Sequence, residues 1–130
     1  MFPEIFRKMT KRGAKIVFCP SLWYKGKDYK PYIKYNINSE KDHVNALCTA
    51  RAVENNIIFV YANAVGNLKT SGNKLDEAIG QSQITSPIIG VLNKLNKGES
   101  MFIQEVDTNI LKDSERAYEI RKDLKNRILY

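Results

Sequence analysis

The sequence is poor in sulfur, imidazole and acid, and it has no long apolar run. Its two cysteines, Cys19 and Cys48, stand 29 positions apart with no CxxC or Cys-His spacing. That spacing argues against a disulfide framework or a zinc site and predicts free, packed thiols. The single histidine, His43, cannot build a metal centre alone, and its expected place is a charged helix start. No Ser-His-Asp set, G-x-S-x-G, P-loop or G-x-G-x-x-G is present, so neither a cofactor nor a metal is expected. No apolar run approaches the roughly 20 residues of a membrane-spanning helix, and no membrane partner is expected. The longest, Ile57 to Ala62, suits a buried strand. The opening MFPEIFRKMTKRG interrupts its apolar pattern with charge and lacks a small-residue cleavage site, so it does not read as a signal peptide. The expected location is the cytoplasm.

What is present is a single domain's worth of chain: 130 residues, 43% apolar and 27% charged, near the globular average. The formal charge of +7 is unevenly placed. Residues 1–34 hold nine Lys/Arg against two Asp/Glu, a net of 9 − 2 = +7, and the remainder is neutral. Trp23, Tyr24, Tyr29, Tyr32 and Tyr35 are interleaved with this basic stretch. Such a pattern could hold phosphates and stack bases. No RNA- or DNA-binding motif accompanies it, so nucleic acid is not the expected partner. A non-catalytic, stand-alone module that binds an acidic partner through residues 1–34 is the alternative reading of the whole chain.

Phe2, Ile5, Phe6 and Met9 fall on one stripe at i, i+3, i+4 and i+7, predicting a helix over 2–12 with that face buried and Gly13 as its C′ residue. Lys15 to Cys19 predicts a strand buried on both faces. Residues 20–38 read as a long loop of the kind that borders binding sites. Ser39 and Asp42 read as a capping box opening a helix to about Asn56. Arg51 lies on the apolar face of that helix with Val44, Leu47 and Cys48, so it needs a carboxylate. Glu54, three residues on, is the expected partner in a structural ion pair. A strand at 57–62, a loop at 63–80, strands at 81–86, 91–95 and 101–107, and a helix at 109–125 complete an α/β layered domain with a mixed sheet.

Several strings carry a family resemblance. They are Phe2-Pro3-Glu4, Gly13-Ala14, Pro20-Ser21-Leu22-Trp23, Ala50-Arg51-Ala52-Val53-Glu54-Asn55, Ala62-Asn63 with Gly66, Gly80-Gln81-Ser82, and Ser86-Pro87 with Gly90-Val91-Leu92, ending on Arg127 with Leu129-Tyr130. In this order and at these intervals they resemble the nitrilase superfamily of carbon–nitrogen hydrolases. The resemblance implies an α-β-β-α sandwich that pairs with a second subunit. It also implies cysteine-dependent hydrolysis of an amide or nitrile, with a glutamate as general base and a lysine holding the oxyanion.

The family's nucleophile belongs to a Cys-x-Asp-x-x-Phe-Pro-Glu elbow and would fall four residues before Met1, with the glutamate and lysine further upstream. Residues 1–130 therefore resemble the C-terminal portion of the sandwich only, and no catalytic residue is expected within them. Cys19, at the end of the next strand, occupies a position where the family has no nucleophile. The residues that carry over are those of a substrate pocket. Pro20, Ser21 and Trp23 leave the strand beside the cysteine's own strand, and Asn63 and Gly66 flank the site from the following one. Trp23 has a structural alternative as a packed aromatic, and Asn63 as a strand-ending turn residue. The partners implied are a small amide or nitrile, once the upstream half is supplied, and either that half or a second copy of the chain.

Overall fold

The computed structural model describes residues 1–25, 31–69, 75–96 and 98–126. The chain opens with helix α1 (Pro3–Lys11), strand β1 (Ile16–Ser21) and the two-residue strand β2 (Tyr24–Lys25). A short 3-10 turn precedes helix α2 (Ser39–Asn55) and strand β3 (Ile58–Asn63). Strands β4 (Val65–Lys69), β5 (Leu75–Ile79), β6 (Gln83–Ser86) and β7 (Gly90–Lys94) follow, then helices α3 (Asn109–Tyr118) and α4 (Ile120–Asn126). The main sheet runs β1-β3-β6-β7, with β1 parallel to β3 and the other pairs antiparallel. A smaller antiparallel sheet, β2-β5-β4, sits beyond the end of β3. This is the mixed α/β architecture anticipated from the sequence. None of the described helices is long and apolar enough to cross a membrane.

The core lies between α2 and one face of the main sheet. Phe6, Val17, Val44, Cys48, Ala52, Phe59 and Tyr61 close it, and the Phe6 and Phe59 rings meet edge to face at 5.4 Å. The other face is bare at β1. Ile16 is 42% and Phe18 72% exposed, while Val17 between them is buried. The expectation that β1 is buried on both faces is thus corrected: period-2 alternation is present, but only one of its two apolar sides has a cover. The α1 stripe needs the same correction. Phe6 and Thr10 are buried, whereas Phe2 and Ile5 lie largely in solvent and Met9 is 38% exposed, because the helix rests on the core along its Phe6–Thr10 line. Gly13 does take the left-handed C′ conformation, with φ +95°.

Three further expectations change. The capping box does not form: α2 starts after Asn38, Asn36 Oδ1 accepts from Asn38 N–H, and Asn36 Nδ2 donates to Asp42. Residues 63–80 hold the β4–β5 hairpin rather than only a loop. Residues 101–107 alternate between exposed and half-buried side chains as a strand would, but form no ladder, and their recorded tie to β7 is Asn93 Nδ2 donating to Gln104 Oε1. Lys27, Tyr29 and Lys30 of the basic loop, and Arg127, Leu129 and Tyr130, lie outside the described residues.

The expected single C-terminal helix is broken at Glu119, which adopts a left-handed conformation with φ 49°. The Glu115 carboxylate makes the break stable. It accepts the backbone N–H groups of Arg121 and Lys122, each at 3.0 Å, and the Asn56 side-chain amide at 2.9 Å. Arg121 in turn donates to the carbonyls of Ala14 and Asn56. Residues far apart in sequence are thereby tied into one clasp that holds α3 and α4 on the core. Partial burial alone would raise the Glu115 pKa, but the donors from Arg121, Asn56 and Lys122 outweigh it and hold it below the usual carboxylate value of 4.5. A group depressed in the folded state contributes stability above its unfolded pKa and loses it as pH falls through the folded one. We therefore expect the stabilising effect of Glu115 over Glu115→Gln to be complete at neutral pH and to fade below pH 4.5, measured as the difference between their urea midpoints.

Candidate functional site

The parallel β1–β3 pair sends two chain segments off the same end of the sheet, after Ser21 and after Asn63, which are themselves register partners. In α/β sheets such ends form the binding crevice. Here the two segments are locked together by Asn63. Its Oδ1 accepts the Trp23 backbone N–H at 2.7 Å, and its Nδ2 donates to the carbonyls of Trp23 at 3.0 Å and Gly80 at 2.9 Å. Ser82 Oγ accepts the Asn63 backbone N–H and donates to its carbonyl. The carboxamide thus has both donors and an acceptor engaged within the fold. Asn63 thereby ties the segment after β1 to Gly80.

Trp23 is anchored on three sides. Besides Asn63, its carbonyl accepts from Ile79 N–H at 3.1 Å, and its indole N–H donates to Glu40 Oε2 at 2.6 Å, linking the loop to the first turn of α2. With Met1, Ser21, Leu22 and Tyr24 it lines an open recess of about 460 Å³. Ser21 Oγ donates to the Cys19 carbonyl at 3.3 Å and lies 3.6 Å from Cys19 Sγ. Asn63 lines a different recess, with Ala64, Val65, Gln81 and Ser82 among its walls. The five residues expected to share a pocket are therefore divided: Ser21 and Trp23 in one recess, Asn63 in another. Pro20 is exposed on the edge strand. Gly66 is exposed in β4 with φ +92°, and a Cβ there would meet no atom within 4 Å. Its role is to supply a backbone conformation, not to clear space for a ligand.

The Asn63 clasp was missed in the sequence because an Asn closing a strand reads only as a turn residue. Its second half depends on Gly80, where φ is +65° and a Cβ would stand 2.9 Å from Val65 Cγ1. Any other residue there is strained by the left-handed backbone and must push the Val65 side chain aside.

Arg51 is where the helix phase put it, 6% exposed, with Nη1 donating to Glu54 Oε1 at 2.6 Å. Nε and Nη2 both donate to the Met1 carbonyl, and the guanidinium lies 5.8 Å from the Phe6 ring centre. The pair therefore fastens the segment preceding α1 onto α2. Cys48 is fully buried, and burial, followed by the nearby Cys19 thiol, pushes its pKa up to about 12, so it cannot act as a thiolate. Among the described residues no group of three or more His, Cys, Asp and Glu could hold a metal.

Comparison with known proteins places this arrangement. The family model for carbon-nitrogen hydrolases matches residues 1–114, and the chain belongs to that family. It is 32% identical over 133 aligned residues to a probable hydrolase, YhcX, of Bacillus subtilis, covering 97% of this chain and 23% of that protein. It is 31% identical to the 2-oxoglutaramate amidase of the same organism, covering 95% and 42% respectively. The fold matches a carbon-nitrogen hydrolase from Helicobacter pylori with a TM-score of 0.80 at 18% identity, over 98% of this chain and 46% of that one. The chain thus spans between about a quarter and a half of the length of these relatives.

Two substitutions test the geometry. Asn63→Ala removes the partner of the Trp23 N–H and of the Gly80 carbonyl and should cost roughly 1–3 kcal/mol, with a shift in the emission of Trp23, the sole tryptophan. Arg51→Ala should cost about 3 kcal/mol, towards the low end for a broken buried pair because the half-exposed Glu54 can rehydrate. Denaturant unfolding checks both.

Proposed function

We propose that residues 1–130 are the C-terminal part of a nitrilase-like amidohydrolase that cleaves a non-peptide carbon–nitrogen bond, in an amide or a nitrile. On this reading the catalytic cysteine, glutamate and lysine are contributed by sequence upstream of Met1, and the present chain contributes walls and framework. The thiolate adds to the substrate carbon, and the lysine meets the negative charge that develops. With an amide, the glutamate takes the cysteine's proton and gives it to the departing amine, and water then releases the acid from the thioester. With a nitrile, thiolate addition gives a thioimidate; one water converts it to the thioester with loss of ammonia, and a second releases the acid. Pro20, Ser21 and Trp23 are proposed to border the acyl side of that site, and Asn63 and Gly66 to hold the opposite segment in register.

The observation that carries this reading is the open side of β1. Its apolar Ile16 and Phe18 are exposed, in a chain aligned along 95% or more of its length to 23–42% of two hydrolase relatives. Family membership and the hydrolase and amidase names of those relatives support the reaction class.

Co-expression with an upstream polypeptide whose Cys-x-Asp reads into Phe2-Pro3-Glu4 tests it. The chain alone should hydrolyse no amide or nitrile above buffer, the complex should turn over, and Cys19→Ala should leave that turnover unchanged. Hydrolysis by the chain alone that Cys19→Ala abolishes would overturn the assignment and make Cys19 the nucleophile.

A further inference from the structure

Gln81 holds a left-handed backbone, with φ +66°, that the fold does not need for a helix end. The other non-glycine residues with positive φ among the described residues, Asn56 and Glu119, cap α2 and α3, where that conformation closes the last turn. Gln81 lies between β5 and β6 instead. An L residue held this way costs free energy and persists only where its surroundings fix it. Both neighbours of Gln81 are fixed. The Gly80 carbonyl accepts from Asn63 Nδ2, Ser82 Oγ engages both backbone groups of Asn63, and the Ser82 carbonyl accepts from Leu95 N–H at 2.8 Å. The Gln81 side chain has no such task. It is 6% exposed, and no hydrogen bond to its carboxamide is recorded among the described residues. A buried polar group normally has a partner.

Gln81 lines a recess of about 350 Å³ at the crevice end of the sheet. The side chains of Asn63 and Ser82, which also border it, are spent on the clasp. Val65 and Leu95 give it apolar wall, and Glu99 and Ser100 stand exposed at its rim. A carboxamide presents an acceptor and N–H donors in one plane. A second carboxamide satisfies both at once, donating to Oε1 and accepting from Nε2, and the Glu99 carboxylate is an acceptor for its remaining N–H. A carboxylate ligand brings no donor for Oε1, and an ammonium brings no acceptor for Nε2. We propose that this recess binds an uncharged carboxamide group and that Gln81 is its recognition residue. The site is separate from the recess of Ser21 and Trp23, and its binding does not depend on the hydrolase reading.

Titration of the isotope-labelled 130-residue chain with propionamide, followed by amide NMR, tests it. Saturable shifts are expected at the Gln81 side-chain amide and at the backbone of Ser82, Gly98 and Ser100, with a Kd of about 1–10 mM for so small a probe. Propionate should bind about tenfold more weakly, because it leaves Oε1 unpaired. Gln81→Glu should weaken propionamide by about tenfold with the fold intact. Gln81→Gly should abolish the shifts while leaving the urea midpoint unchanged or raised, since glycine takes the left-handed backbone without strain. A residue kept for structure alone would lower that midpoint when replaced. No saturable shift from the folded chain, shifts that survive Gln81→Gly, a lowered midpoint in that variant, or equal or tighter propionate binding overturns the inference. If propionamide binds and the complex with the upstream part hydrolyses no amide, the site stands and the hydrolase reading falls. If the complex turns over and no saturable shift appears, the inference alone falls.

Discussion

A strand paired in parallel is normally covered on both faces, and β1 is covered on one. The rest of the molecule can be understood from that constraint. Pairing with β3 fixes the register Val17–Phe59, Cys19–Tyr61 and Ser21–Asn63, which places the first two pairs under the helices and the third at the crevice. The helix-facing side is finished: Phe6, Val44, Cys48 and Ala52 meet Val17, Phe59 and Tyr61 in a closed core. The opposite side presents Ile16 and Phe18 to solvent. The family's sandwich architecture would bring a second sheet to such a face.

The clasps found around the domain secure the elements that flank this open side. Arg51 holds the Met1 carbonyl beside α1, Asn63 holds the loop after β1, and Arg121 with Glu115 holds the Ala14 and Asn56 carbonyls on either side of the β1–β3 pair. Each is a polar side chain spending its hydrogen-bonding capacity on backbone from a distant segment. Hydrogen bonds of this kind add modestly to stability, but leaving their buried partners unmade is expensive. The Asn63 clasp fixes the crevice end of the β1–β3 pair, and the Arg121–Glu115 clasp ties its opposite end, where Ala14 and Asn56 precede the two strands.

The sequence disclosed what periodicity and charge can disclose. The helices and the strands around β3 and the β6–β7 turn follow from apolar spacing, and Arg51 was legible because a cation at i+7 from Val44 on an apolar face must be paired. The hairpin β4–β5 was not legible, since its residues are polar, glycine-containing and paired with one another at the sheet's margin, where burial imposes no alternation. The strand pattern at 101–107 was legible as alternation, but pairing depends on a neighbour that a local pattern does not specify. The break at Glu119 was hidden for a related reason: the carboxylate that caps α4 lies in the helix before it. At the candidate site, the strand order makes the segments after β1 and β3 neighbours, whereas the placing of Ser21 and Trp23 in one recess and Asn63 in another depends on where the Asn63 carboxamide points.

On the proposed reading, the bare edge and face of β1 receive an upstream partner strand. Ile58 N–H donates to the Lys15 carbonyl at 2.9 Å, so alternation turns the backbone groups of Val17 and Cys19 towards β3 and those of Ile16 and Phe18 towards the open edge. Amide hydrogen exchange read at these four residues, with and without the co-expressed upstream polypeptide, is the most direct test. Val17 and Cys19 should be protected in both samples, while Ile16 and Phe18 should exchange freely in the chain alone and become protected in the complex. Protection of Ile16 and Phe18 in the chain alone, or their continued free exchange in an active complex, would contradict it.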